Sequence, residues 1–414
     1  MADTGDALKT SDGMQSVEAA LEALLDGLNP VDVELIASAD AAGRILADNV
    51  EAQHDVPPAD NSAMDGYALR AADAGRILPV SQRVAAGHAP RPLASDSCAR
   101  IFTGGEIPPG ADCVVMQEKV EESADGMRMP ADIPSGDNIR RRGRDVQRGA
   151  LLLPAGTQLE AAALGHLAGQ GVTQVAVRCR PKVALLSTGD EIIDPGTPLK
   201  PGQIYNSNRP MLKRLLERFG AEVIMAASIP DDFEATCQTL RQAAEQADVV
   251  VSTGGVSVGE EDHVKHALES LGQLDLWRLA MRPGKPLALG RLPRGAGNGV
   301  DGEARFVGLP GNPVSGFVGA WVFLRPLIGA LLGCSDQASL PAVYARSGFS
   351  TTTQARRHYM RVMLEFSTAG IVAQAFDDQN SAVLSSCIEA DALAVIPPNS
   401  TIEQGDMIEC LWLT

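Results

Sequence analysis

The stretch VVVSTGGVSVGEED, Val249 to Asp262, decides how the rest of the chain is read. Three valines form a run short enough for a strand and apolar enough to be buried on both faces. The run then breaks into a glycine pair and closes on Glu260, Glu261 and Asp262. Glycines after a buried strand let the backbone approach a ligand closely. Carboxylates beside them pose the question of what cation or proton they serve.

The flanking sequence repeats the pattern. VALLS (Val183 to Ser187) is a second continuous apolar strand, and EVIMAAS (Glu222 to Ser228) a third. Between them, Asn208 to Phe219 places Leu212, Leu215, Leu216 and Phe219 on one helical face, with Gly220 beyond as a stop. Asp232 to Ala247 carries Phe233, Cys237, Leu240 and Ala244 inward, and Arg305 to Gly308 leads a later strand into LPGNP. Alternating strands and helices of these lengths predict a doubly wound α/β sheet.

In such a sheet ligands bind at the carboxyl ends of the strands. VALLS ends in Thr188-Gly189-Asp190-Glu191, EVIMAAS in Pro230-Asp231-Asp232, and the later strand in Pro310-Gly311-Asn312-Pro313. Glu191, Asp231 and Asp262 thus come from three strand tips, and a carboxylate cluster beside a phosphate cradle suits Mg²⁺. Each acid alone could equally be a cap or a turn former; their joint recurrence favours a shared role. Asp232 reads as a helix N-cap and not as a ligand. Gly297 to Gly302 matches G-x-G-x-x-G, but no strand precedes it and no helix follows, so it reads as an inserted loop.

Elsewhere the pattern changes. Val17, Ala20, Leu21, Leu24, Leu25 and Leu28 share a helical face behind Ser16 as N-cap, and a second short helix is expected over Val33 to Ala42. From about 48 to 146, short apolar pieces among prolines and glycines predict a small β-rich domain. Its NIRRRGRD segment gathers Arg140, Arg141, Arg142 and Arg144, either a solvated loop or an anion-binding edge. After about 333, short alternating segments predict an antiparallel β-barrel.

Composition bounds the function. The 414 residues carry a formal charge of −17, which repels nucleic acid and anionic membrane at long range. The cysteines (98, 113, 179, 237, 334, 387 and 410) show no metal or redox-pair spacing and read as buried thiols of a reducing compartment. The amino terminus lacks the features of a secretory signal, and the longest apolar run, Phe317 to Leu332, is interrupted by Arg325 and Pro326. A cytoplasmic protein is expected.

Several motifs together resemble the molybdopterin molybdenumtransferase family, which comprises bacterial MoeA and the E domains of gephyrin and its plant relatives. They are DNSAMDGYALR (60–70), IFTGGEIPPGAD (101–112), NIRRRGRDV (138–146), STGDE (187–191), STGGVSVGEED (252–262), MRPGKP (281–286) and GLPGNPVS (308–315), with the Asp231-Asp232 pair. The resemblance implies four parts: a helical stem (14–47 with 147–180), an elongated β-rich domain (48–146), a molybdopterin-binding α/β domain (181–332) and a terminal β-barrel (333–414).

It also implies a homodimer with a shared active site, in which adenylylated molybdopterin and molybdate react with a divalent metal such as Mg²⁺ and release AMP. Glu191, Asp231 and Asp262 match family acids that hold the metal and assist anhydride cleavage. Asp60, Thr103 and Asp145 match positions supplied by the neighbouring subunit. Gly254, Gly255, Ser257, Pro310 and Pro313 match the pterin and phosphate cradle. Arg282, Lys285, Ser315, Arg357 and Ser381 or Ser385 are similar to the oxyanion pocket.

Arg278 and Arg282 stand where many members have lysine, Arg144 replaces a commonly acidic residue, and the Arg291–Ala304 insertion is longer than usual. Implied partners are the adenylylating enzyme of the same pathway and proteins that mature molybdoenzymes. Two other readings compete: a gephyrin-like scaffold that binds peptides through its barrel, and the adenylyltransferase itself. Three convergent acids argue against the first and the extra flanking domains against the second.

Overall fold

The computed structural model describes residues 14–255, 263–284, 286–294, 302–338 and 341–413. The chain divides into two compact units: residues 36–42 with 48–175, and the remainder. The larger unit opens with α1 (Val17–Leu25), where Ser16 accepts the Ala19 amide at 3.1 Å, the N-cap that the sequence implies. Its α/β part runs β1 (Lys182–Thr188), α2 (Asn208–Arg218), β2 (Glu222–Ile229), α3 (Phe233–Gln246), β3 (Val249–Thr253), α4 (His263–Leu271), β4 (Gln273–Arg278), β5 (Pro286–Pro293), β6 (Glu303–Leu309) and α5 (Pro313–Leu331).

The sheet order is β2-β1-β3-β6-β5-β4. The first four strands are parallel, and β5 and β4 continue the sheet antiparallel, an edge the periodicity did not reveal. Successive side chains of a strand point to opposite faces, and both faces here are buried. Val183 and Leu185 join Leu212 and Leu216 of α2 and Val314 and Val318 of α5. Ala184, Leu186, Val250 and Phe306 join Leu240 and Ala244 of α3 and Val264 and Leu268 of α4. That double burial is why these strands read as unbroken apolar runs.

One expectation is corrected. Val33–Ala37 is a strand followed by one tight turn at Ser38–Asp40, not a helix. Its β-branched residues favour extension, and Val33 and Leu35 are exposed, so no apolar helical face existed to be buried. Arg325 and Pro326 interrupt the apolar run but not the helix, for α5 is continuous through them. The turns at Ala320–Leu324 widen to π geometry, which makes room for a proline ring where no amide is needed. This helix is long and apolar enough to cross a membrane by length and composition, but 83% of its most apolar window is buried, as befits a core helix.

The carboxyl-terminal strands β7 (Ala342–Ser347), β8 (Arg357–Ser367), β9 (Gly370–Ala375), β10 (Ala392–Ile396) and β11 (Met407–Trp412) close into a barrel through the β8–β10 pairing. The short strand Met281–Arg282 pairs in parallel with Arg357 and His358 at the start of β8. That ladder fixes the barrel's entry strand beside the sheet. The smaller unit is built on a four-stranded sheet (Val80–Val84, Cys98–Ile101, Gly66–Leu69, Cys113–Met116) with Leu69, Cys98, Cys113 and Val115 on one face and Ala68, Val84, Ile101 and Val114 on the other. All seven cysteines are free thiols. Burial raises Cys98 to about 11 and Cys113 to about 12, so both stay protonated and inert.

Chemical denaturation checks the sheet's energetics. Phe306→Ala removes a fully buried ring between β6 and the α3–α4 layer and is expected to cost about 3–5 kcal/mol. Asp232→Ala deletes the cap on the Ala235 amide and should cost about 1 kcal/mol.

Candidate active site

The parallel register aligns the strand ends. Thr188 of β1 lies opposite Ile229 of β2, and Thr253 of β3 opposite Leu309 of β6, so the loops that follow leave from one level. After β1, Gly189 has φ +120°, and a Cβ there would sit 2.5 Å from the Glu191 carboxylate. After β3, Gly254 and Gly255 both have positive φ. Added Cβ atoms would meet Thr188 Oγ1 at 2.9 Å and Val264 Cγ2 at 2.6 Å, respectively. These turns accept only glycine without strain. Beneath them is a polar layer: Asn206 donates to Ser187 Oγ at 3.0 Å, and the buried Ser252 hydroxyl has no partner among the described residues.

A cavity of about 460 Å³ opens beside this rim. Gly254 and Gly255 form one wall, and Pro310, Gly311, Asn312 and Ser315 a second. Arg282 through Gly284 and Pro286 make a third, and the barrel contributes Arg356 with Gln379, Asn380 and Ser381. Asn208 Nδ2 holds the Gly311 carbonyl at 2.7 Å, and the Val314 amide donates to Ser381 O at 3.1 Å, tying the barrel loop to the start of α5. Two guanidiniums and several neutral donors face the space, and no carboxylate lines it among the described residues. His358 is held below its ordinary pKa by burial, then by Arg282 and Arg356, which disfavours a further positive charge beside them. The chemistry of such a lining is anion binding.

Of the residues singled out by sequence, Gly254, Gly255, Arg282, Pro310, Ser315 and Ser381 line this one cavity. Pro313 begins α5 next to it, outside the wall. Ser385 is exposed at the start of the Ser386–Glu389 turn, and Arg278 is exposed at the end of β4, where its carbonyl accepts the Gln15 amide. Arg357 lies elsewhere: it is ion-paired with Glu18 and lines a separate cavity with Tyr359 and Ile408. Arg356, in the bend just before β8, lines the anion cavity instead. The Arg356-Arg357 doublet was the available signal, and sequence cannot say which member points where. Gln379 and Asn380 were also missed, having no periodicity to mark them.

Glu191 and Asp231 are exposed at their strand ends, with Asp231 Oδ1 3.8 Å from His263 Nε2. Asp232 caps α3 through the Ala235 amide at 2.8 Å. Ser257, Asp262 and Lys285, and most of the Gly297–Gly302 loop, lie outside the described residues. The carboxylate oxygens of Glu191 and Asp231 are suitable donors for a hard cation. Among the described residues, however, no three ligand-type side chains gather closely enough to hold a metal.

In the smaller unit, Asp60 accepts the Arg142 amide at 2.8 Å and Arg141 Nη1 at 2.6 Å. The Arg142 amide foremost, with Arg141, keeps Asp60 below the usual carboxylate range. Thr103 donates its amide and hydroxyl to Asp65 at 2.7 and 2.8 Å, and Asp145 lies 3.7 Å from His166 Nε2. Two of the four arginines of NIRRRGRD are therefore engaged with acids, Arg142 reaching Asp55 as well.

Three family matches cover most of the chain. Residues 15–171 match the MoeA N-terminal region (domain I and II), 184–330 the probable molybdopterin binding domain, and 344–413 the MoeA C-terminal region (domain IV). A molybdopterin molybdenumtransferase of Haemophilus influenzae is 40% identical over 325 residues, covering 77% of this chain and 78% of its own. One from Nostoc is 37% identical, covering 89% and 86%. The crystal structure of a molybdopterin biosynthesis MoeA protein from Pyrococcus horikoshii superposes with a TM-score of 0.82 at 28% identity, covering 96% of this chain and 99% of that one. With matches along nearly the whole chain and relatives well above 30% identity, the protein belongs to the molybdopterin molybdenumtransferase (MoeA) family.

Proposed function

We propose that the chain is a transferase of molybdenum cofactor biosynthesis, which inserts molybdenum from molybdate into adenylylated molybdopterin and releases AMP. The observation that carries this reading is the cavity lined by Arg282 and Arg356, free of carboxylates among the described residues, next to a rim of glycine turns. Molybdate is a small tetrahedral dianion, and guanidinium forks match oxyanion edges with paired, charge-assisted hydrogen bonds. Ser315, Asn380 and Ser381 supply neutral donors without competing negative charge.

Gly254 and Gly255 let the main chain approach the diphosphate that joins molybdopterin to AMP. A cation on Glu191, Asp231 and Asp262, Mg²⁺ being the natural candidate, would neutralise that diphosphate when bound. The protein's own part is to hold the dithiolene end of one substrate against the oxyanion of the other. Binding both in one cleft turns a bimolecular encounter into an oriented one.

The reading extends to a cytoplasmic homodimer, in which Asp60, Thr103 and Asp145 of one subunit serve the cavity of the other. The adenylylating enzyme would deliver substrate, and a molybdoenzyme-maturation protein would accept product.

AMP release from purified adenylylated molybdopterin, with molybdate and Mg²⁺, tests the reaction; no release over the protein-free rate would overturn it. Arg282→Ala and Arg356→Ala should each raise the molybdate KM about tenfold or more, the loss of a charge-assisted hydrogen bond of about 1.5–3 kcal/mol. Arg282→Lys should keep most activity. Glu191→Ala should abolish turnover with an unchanged circular dichroism spectrum. If the site is shared, mixing inactive Glu191→Ala with inactive Asp60→Ala protein should restore part of the activity, and mixtures that stay inactive count against the shared site.

A further inference from the structure

Arg361, in the middle of β8, is fully buried and is the bulkiest of the fully buried side chains. A guanidinium without water must satisfy its donors within the protein or destabilise the fold. Nε donates to Ser386 Oγ at 2.8 Å, Nη1 to Gln379 O at 3.2 Å, and Nη2 to Asp378 O at 3.0 Å and Asn380 O at 3.2 Å. All of these acceptors are uncharged, and no ion pair to Arg361 occurs among the described residues. The Gln379 side chain completes the lock: it accepts the Arg361 amide at 3.0 Å and donates to Arg361 O at 2.9 Å.

Three consecutive carbonyls, 378 to 380, therefore point inward at one cation. In a planar trans peptide the N–H lies opposite its C=O. The amides of Gln379, Asn380 and Ser381 are consequently turned away from Arg361. The Asn380 amide is taken by Asp378 Oδ1 at 2.8 Å, whereas those of Gln379 and Ser381 donate to no protein acceptor among the described residues. Gln379, Asn380 and Ser381 are the same residues that form the barrel wall of the anion cavity. Outward-facing amides of successive residues make an anion-binding concavity.

We propose that Arg361 is a positioning residue for oxyanion binding: from inside the barrel it draws the 378–380 carbonyls inward and so turns the wall of the cavity into a set of donors. It touches no substrate. The inference rests on the reading of this cavity as the molybdate site. Lysine cannot replace it, because one ammonium cannot span three carbonyls and a serine with a planar fork.

The test compares wild type, Arg361→Lys and Arg361→Met in AMP release, varying each substrate in turn, together with calorimetric titration of molybdate alone. Both variants are expected to raise the molybdate KM and dissociation constant about tenfold, through loss of two oriented donors, the Gln379 and Ser381 amides. The KM for adenylylated molybdopterin should not change, and kcat should change little. A merely structural role would lower the fraction of active protein or move both KM values together, and either result overturns the proposal, as does unchanged molybdate binding in a folded variant.

Should Arg361→Met fail to fold, Ser386→Ala removes one bond to Nε at a distance from the cavity. It should raise the molybdate KM by about threefold, a partial loss because the guanidinium keeps its bonds to the 378–380 carbonyls. No shift there overturns the proposal as well. If wild type binds molybdate but releases no AMP, the proposed reaction fails, while the titration still decides the role of Arg361.

Discussion

Parallel pairing of β1 with β2 and β3 is the constraint on which the site depends. It brings the carboxyl ends of strands that are far apart in sequence to one level, with Thr188 beside Ile229 and Thr253 beside Leu309. Parallel strands can be joined only by crossovers, and the helices that make them bury both faces of the sheet. The two apolar layers thereby hold the rim rigid, so the glycine turns after β1 and β3 form on a fixed base.

Electrostatics at the site oppose those of the whole molecule. A chain of charge −17 repels an anion at long range, whereas the cavity presents Arg282 and Arg356 with no lining carboxylate among the described residues. The two effects act at different distances. Solution ions screen the global field over about 8–10 Å. A guanidinium acts at contact, through paired, charge-assisted hydrogen bonds. Overall acidity thus limits nonspecific anion binding without preventing capture in one place. Burial and those same arginines disfavour a further positive charge on His358.

The barrel acts as more than an appendage to the sheet. Met281–Arg282 pairs with the start of β8, and the Val314 amide bonds to Ser381, so the barrel's loops share backbone contacts with the cradle itself. Its interior holds a charge that an all-apolar core would not need. The carbonyls around Arg361 are the plainest sign that the barrel core is arranged for the loop it carries.

The sequence by itself determined the parallel strands of the α/β sheet, their tips and two helix N-caps, because burial on both faces and helical amphipathicity are written in local residue order. Ser16 and Asp232, each a good N-cap by residue type and position, cap their helices. It also named Gly254, Gly255, Arg282, Ser315 and Ser381, which the fold brings to one cavity. Tertiary structure alone decided which arginine of the 356–357 pair reaches that cavity, since Arg357 is fixed by strand pairing with Met281 and an ion pair to Glu18 while Arg356 stays in the bend before it. Only tertiary structure, too, showed Val33–Ala37 as a strand, α5 as one continuous buried helix, and Arg361 as the centre of a loop 17 to 19 residues away in sequence. Those outcomes depend on partners distant along the chain, and local periodicity carries no record of them.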